Sequence, residues 1–159
     1  AYEITTWLLG SVAEREWSQI VLCTPFILAG WLCLAATPRG LDALTLGEAQ
    51  AESLGVNLNR LRVLALAGVA FSVGAATAMA GAIGFVGLVA PHLVRPFVGY
   101  RPSRILLPSA VFGALLLLVT DIAIRVIPTS AELKLGVLTS LIGTPFFFWL
   151  VLRLRRMSP

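Results

Sequence analysis

ILLPSAVFGALLLLVTDIAIRVI, residues Ile105–Ile127, decides the fold class of this chain. The run carries only two charges, Asp121 and Arg125, and it matches the ~20 residues an α-helix needs to cross the hydrocarbon of a bilayer. Four other apolar stretches flank it: Gln19–Ala36, Val63–Ile83, Phe85–Val98 and Leu135–Leu152. Phe85–Val98 is the irregular one, because Pro91, His92, Arg95 and Pro96 interrupt it. It is expected to be tilted, broken or partly buried in protein. Tyr2–Gly10 reads as the last turns of an earlier helix.

Composition agrees with this pattern. Of 159 residues, 58% are hydrophobic and 13% charged, whereas a soluble domain carries about 25% charge. Mean hydropathy is +0.90. The predicted fold class is therefore all-α, a polytopic transmembrane helix bundle of four to five helices. Disorder, a secreted disulfide scaffold and a cytosolic enzyme are excluded. Cys23 and Cys33 lie ten positions apart in one apolar run, roughly 15 Å along a helix, which is beyond disulfide reach. The chain opens on Ala1 and AYEITTWLLGS does not resemble a signal peptide, so the sequence is expected to be part of a longer one.

The formal charge of +4 does not point to nucleic acid, because the basic residues stand singly at the ends of apolar runs. Their distribution instead sets orientation. With a cytoplasmic C-terminus, nine of the twelve basic residues fall on the inner side: Arg39, Arg60, Arg62, Arg95, Arg101, Arg104, Arg153, Arg155 and Arg156. Arg15, Arg125 and Lys134 fall outside. The positive-inside rule therefore predicts that the 37–62 and 99–104 loops face the cytoplasm.

The 37–62 segment is the one sizeable polar stretch. Thr45 and Glu48 have the S/T-x-x-E spacing of a capping box, and Gly55 suits the left-handed residue that ends a helix. These signals predict a helix of about ten residues and a second start at Asn57. Two readings stay open at this point: a solvated loop helix, or an element that docks a cytoplasmic protein.

Inside the bundle, Gly68, Gly74, Gly81, Gly84 and Gly87, with Ser72 and Ala78, predict close helix packing, because lipid supplies no hydrophobic drive between helices. Asp121 and Arg125 are spaced as an i,i+4 ion pair that neutralises two costly intramembrane charges. Glu132 is expected on the outer side, where it can cap a helix or meet an extracytoplasmic partner. His92 is the sole histidine, which excludes a multi-histidine metal site, and beside Pro91 it reads as a cap on a broken helix. The sole lysine, Lys134, lies between leucines, so a phosphate-binding Gly-Lys-Ser/Thr loop is absent and no catalytic motif replaces it.

Four blocks then carry a resemblance. GEAQAESLGVNLNRLR (47–62), AGAIGFVGLVAPHLVR (80–95), LLPSAVFGALLLLVTDIAIR (106–125) and AELKLGVLTSLIGTPFFFWLVLR (131–153) resemble, in this order, the C-terminal half of the iron-chelate, haem and cobalamin permeases of type II ABC importers. WLLGS (7–11) resembles the end of that family's fifth helix. The resemblance implies a permease domain over residues 1–159 whose family has about ten helices, the first half lying outside this sequence. It also implies a coupling loop matching Leu41 to Leu58 and centred on Gly47, Glu48, Ala51, Leu54 and Gly55, which sits in a cleft of a cytoplasmic ABC ATPase dimer. Further implied are a second permease copy, an extracytoplasmic substrate-binding protein, residence in the inner membrane, and ATP hydrolysis in a separate subunit. No cofactor, metal or nucleic acid is expected. Two other classes compete with this reading: a fragment of an ion-coupled secondary transporter using Asp121, Arg125 and Glu132, and a membrane anchor that needs only the 37–62 loop.

Overall fold

The structure is a computed structural model that describes residue 10 and residues 16–126 and 135–157. Among these residues the only regular elements are helices: α1 Trp17–Ala35, α2 Pro38–Leu44, α3 Glu48–Ser53, α4 Leu58–Ala80, α5 Val86–Val98, α6 Pro102–Val126 and α7 Leu135–Met157. Three of them, α1, α4 and α6, are long and apolar enough to cross a membrane. Large apolar side chains stand exposed along all three, including Leu32 on α1, Leu66 on α4 and Val119 on α6. That is the reverse of a water-facing surface.

The expected spans differ from the observed ones in instructive ways. α4 begins at Leu58, five residues before the apolar run, because Asn57 caps it: the Asn57 Oδ1 accepts a hydrogen bond from the Arg60 amide at 2.9 Å. α5 has only 13 residues, about 20 Å at 1.5 Å per residue and short of the hydrocarbon thickness. The Phe85–Val98 stretch is therefore a short helix, partly buried at Val89, Ala90 and Val94 as its irregular sequence suggests, and it accommodates both Pro91 and Pro96. The chain enters it through Gly81, at φ +76°, and Phe85, at φ +66°. A bulky residue with positive φ is strained.

The described residues form two compact units. One comprises residues 16–79 and 98–107; the other comprises residues 10, 80–97, 108–126 and 135–157. In the first, α1 and α4 meet through glycine. A Cβ on Gly30 would lie 2.7 Å from the Gly68 carbonyl oxygen and 2.8 Å from the Ser72 amide, and would collide with the Ser72 hydroxyl. A Cβ on Gly68 would lie 2.6 Å from Leu34 Cγ and 3.0 Å from the Gly30 carbonyl oxygen. Only hydrogen atoms at both positions allow so close an approach. In the second unit, Gly113 faces Val86 and Ala90, and a Cβ on Gly143 would collide with Phe85.

The other glycines expected to pack do not share this role. Among the described residues nothing lies within 4 Å of a Cβ added at Gly74 or Gly87. Gly81 and Gly84 lie in the link between α4 and α5, outside any helix, so they contribute no helical face. Small residues in sequence mark where close packing is possible, and a facing backbone decides where it occurs.

Candidate functional site

The 37–62 segment folds into two short helices and not one. Pro38, which ends the apolar run of α1, occupies the first position of α2, where its fixed φ and missing N–H cost nothing. α2 spans 7 residues and α3 spans 6. Gly47, at φ +105°, breaks the chain between them. The predicted capping box does not form. The Thr45 hydroxyl donates to the Asp42 carbonyl at 2.7 Å, closing α2, and Gly47 takes the N-cap position of α3. A hydroxyl that can reach a carbonyl on its own preceding turn has a local competitor to capping the next helix.

The far end follows the sequence reading closely. Gly55, at φ +83°, donates to the Glu52 carbonyl at 2.9 Å, and Val56 donates to the Ala51 carbonyl at 3.0 Å. This pair of bonds is the Schellman arrangement, with glycine in the left-handed position.

The predicted loop residues divide by environment. Ala51 is fully buried and Leu41 half-buried. Leu54 is exposed, as is Leu46 just before the Gly47 break. Glu48 reaches back to Arg62 with Oε1 and Nη2 2.6 Å apart, both side chains more than half exposed. Such a pair contributes at most about 1 kcal/mol. The segment is thus anchored from beneath, and it presents two leucines and a carboxylate outward.

Two anchors were not legible in the sequence. Gly40 on α2 packs against Leu61 at the start of α4, where an added Cβ would lie 2.7 Å from Leu61 Cδ1. Asp42 accepts two hydrogen bonds from Ser103, from its amide to Oδ1 at 2.9 Å and from its hydroxyl to Oδ2 at 2.6 Å. These bonds hold the Asp42 carboxyl below its ordinary pKa against the opposing effect of burial, with lesser help from Arg101 and Arg104. They also join the 37–62 and 99–104 loops within their unit.

The remaining candidates lie in the other unit. Arg125 Nε and Asp121 Oδ2 are 2.8 Å apart on α6, joined across one helical turn. His92 packs edge-on against Phe146, ring centroids 6.1 Å apart. Glu132 lies outside the described residues. Among the described residues no group of His, Cys, Asp or Glu side chains is placed to hold a metal ion.

Comparison with known proteins adds lineage to this geometry. Residues 1–153 match the model of the FecCD transport family. The chain is 40% identical over 154 residues to the hemin transport system permease HmuU of Yersinia pestis, covering 96% of this chain and 46% of that protein. It is 41% identical over 149 residues to the Fe(3+) dicitrate permease FecD of Escherichia coli, covering 94% and 47%. It is 43% identical over 155 residues to the vitamin B12 permease BtuC of Vibrio cholerae, covering 95% and 45%. A solved chain described as a metal-chelate type ABC transporter in an inward-facing conformation superposes with a TM-score of 0.80 at 35% identity, over 96% of this chain and 49% of that one. The chain spans about half the length of the relatives it matches.

Proposed function

Because this chain belongs to the FecCD transport family, we propose that it is the C-terminal part of a permease that carries iron-siderophore, haem or cobalamin-type chelates inward, driven by ATP hydrolysis in a separate subunit. The observation that carries the reading is the identity of at least 40% to haem, ferric-dicitrate and vitamin B12 permeases over nearly the whole chain.

On this reading the α2–α3 segment, with Leu41, Gly47, Glu48, Ala51, Leu54 and Gly55, is the coupling element that seats in a cytoplasmic ABC ATPase dimer. Its chemistry supports that role. Leu46 and Leu54 offer apolar contact area, Glu48 a charge at the rim, and the two positive-φ glycines set the shape of the segment. The distribution of basic residues supports a cytoplasmic C-terminus in the inner membrane. A second permease copy completes the pathway, and a substrate-binding protein docks on the opposite face, where Glu132 is a contact. Closure of the ATPase dimer displaces α2 and α3, and the displacement passes into the membrane helices. Asp121 and Arg125 neutralise each other and hold α6 in its packing, so no relay role is assigned to them.

The test uses the full-length permease with its ATPase and binding protein in proteoliposomes. Glu48→Arg or Gly55→Pro is expected to leave ATP hydrolysis running while uptake falls. Normal uptake in both variants with the ATPase still bound would refute the coupling assignment. Uptake driven by a proton gradient without ATP would favour the secondary-transporter reading.

A further inference from the structure

Resting on the importer reading, we propose that Asp42 is a positioning residue that latches the coupling segment to the first turn of α6, so that a displacement of α2 is delivered directly to that membrane helix. The two residues are 61 positions apart in sequence, yet both carboxylate oxygens are engaged, Oδ1 by the Ser103 amide at 2.9 Å and Oδ2 by its hydroxyl at 2.6 Å.

Chemistry favours the geometry. Ser103 is the second residue of α6, one of the first-turn positions whose amides have no partner within the helix. Pro102 in front of it has no N–H to offer. A carboxylate there satisfies an orphan donor and meets the positive end of the helix dipole, with Arg101 and Arg104 on either side of Ser103. A two-point hold also fixes direction, which a single contact does not. Glu48 and Arg62 provide the contrast: two long exposed side chains meeting at one pair of atoms.

The same short helix has a second fastening, Gly40 against Leu61 on α4. α2 therefore grips the starts of two membrane helices. One grip is a packing contact that can slide; the other is a pair of directional hydrogen bonds that cannot slide without breaking.

The experiment compares wild type, Asp42→Ala, Asp42→Asn, Ser103→Ala and the Asp42→Ala/Ser103→Ala double variant of the full-length permease in proteoliposomes with its ATPase and binding protein. It reads ATPase retention, ATP turnover and uptake per ATP hydrolysed. Asp42→Ala is expected to lower uptake per ATP by about fivefold or more, the size of a typical coupling free energy, with the ATPase still bound. Asp42→Asn, which keeps an acceptor but loses the charge, falls between it and wild type. Ser103→Ala loses less, because its amide remains, and the double variant is no worse than Asp42→Ala. Unchanged uptake per ATP in Asp42→Ala, losses that multiply in the double variant, or uptake that falls only as the ATPase dissociates would each overturn the latch. Should Asp42→Ala fail to assemble, unchanged uptake per ATP in both Asp42→Asn and Ser103→Ala overturns it equally. Wild-type uptake that needs no ATP would overturn the importer reading instead.

Discussion

The α1–α4 seam and the α2–α3 segment are built mainly of the same materials, small residues and leucines, and they use them in opposite ways. At the seam Gly30 and Gly68 bring two backbones together, and an added methyl carbon would lie 2.7 Å from the facing carbonyl oxygen if built on Gly30 and 3.0 Å if built on Gly68. In the loop segment Gly47 and Gly55 have positive φ and shape the chain, while Leu46 and Leu54 are left in the open. Glycine at the seam supplies closeness, and glycine in the segment supplies direction. The first region is expected to fail by losing its fold; the second is expected to keep its fold and lose its output.

The largest effect is expected at the seam. Gly30→Val overpacks against backbone that has no flexible end to move, and should cost about 3 kcal/mol or more. A sharp fall in Tm of the purified full-length protein, with loss of folded yield, checks this. Gly74→Ala, on α4 but with no described residue within 4 Å of the added Cβ, is the control and should be neutral or slightly stabilising, since alanine is the better helix former by about 1 kcal/mol. Equal damage at both positions would mean that the facing backbone does not set the cost of a side chain on these helices.

Gly55→Ala comes next. At φ +83° a Cβ costs about 1–2 kcal/mol even though nothing lies within 4 Å of it. The strain should appear as impaired coupling with little change in Tm; a Tm loss matching Gly30→Val would show that the segment is part of the core.

Protonation gives a smaller and more local effect. The Asp42 carboxyl is held below its ordinary range, so its contribution is complete above the unfolded carboxylate pKa and is lost only as pH falls through the depressed folded value. Protection of the Ser103 amide against hydrogen exchange, corrected for the intrinsic rate, should thus be equal at pH 7 and pH 5. Loss of protection by pH 5 would break the assignment.

The smallest effect belongs to Glu48→Ala measured as stability. An exposed ion pair contributes at most about 1 kcal/mol and is screened by salt, so Tm should barely move. A large shift would mean the pair is structural, and Glu48 would lose its distinct place at the rim.

Much of this was legible along the chain. Apolar runs of helical length, the Gly55 terminator, the Asn57 start and the Asp121–Arg125 spacing are local signals, in which neighbouring residues alone decide the backbone or the helical face. The misread capping box is local too, but it had a competitor. Thr45 had two possible partners, a carbonyl behind it and an amide ahead, and spacing alone does not rank them.

What the sequence determined by itself is solvent: a chain this apolar and this poor in charge belongs in lipid. What only the tertiary structure decided is partnership. That Gly30 opposes Gly68 while Gly74 opposes no described residue, that Gly143 makes room for Phe85, and that Asp42 holds Ser103 across 61 positions depend on which surfaces the packed helices bring together. Hydrophobicity is a property of each residue and adds along the chain. A close approach or a two-point hydrogen bond is a property of a pair, and it exists only once the chain has folded back on itself.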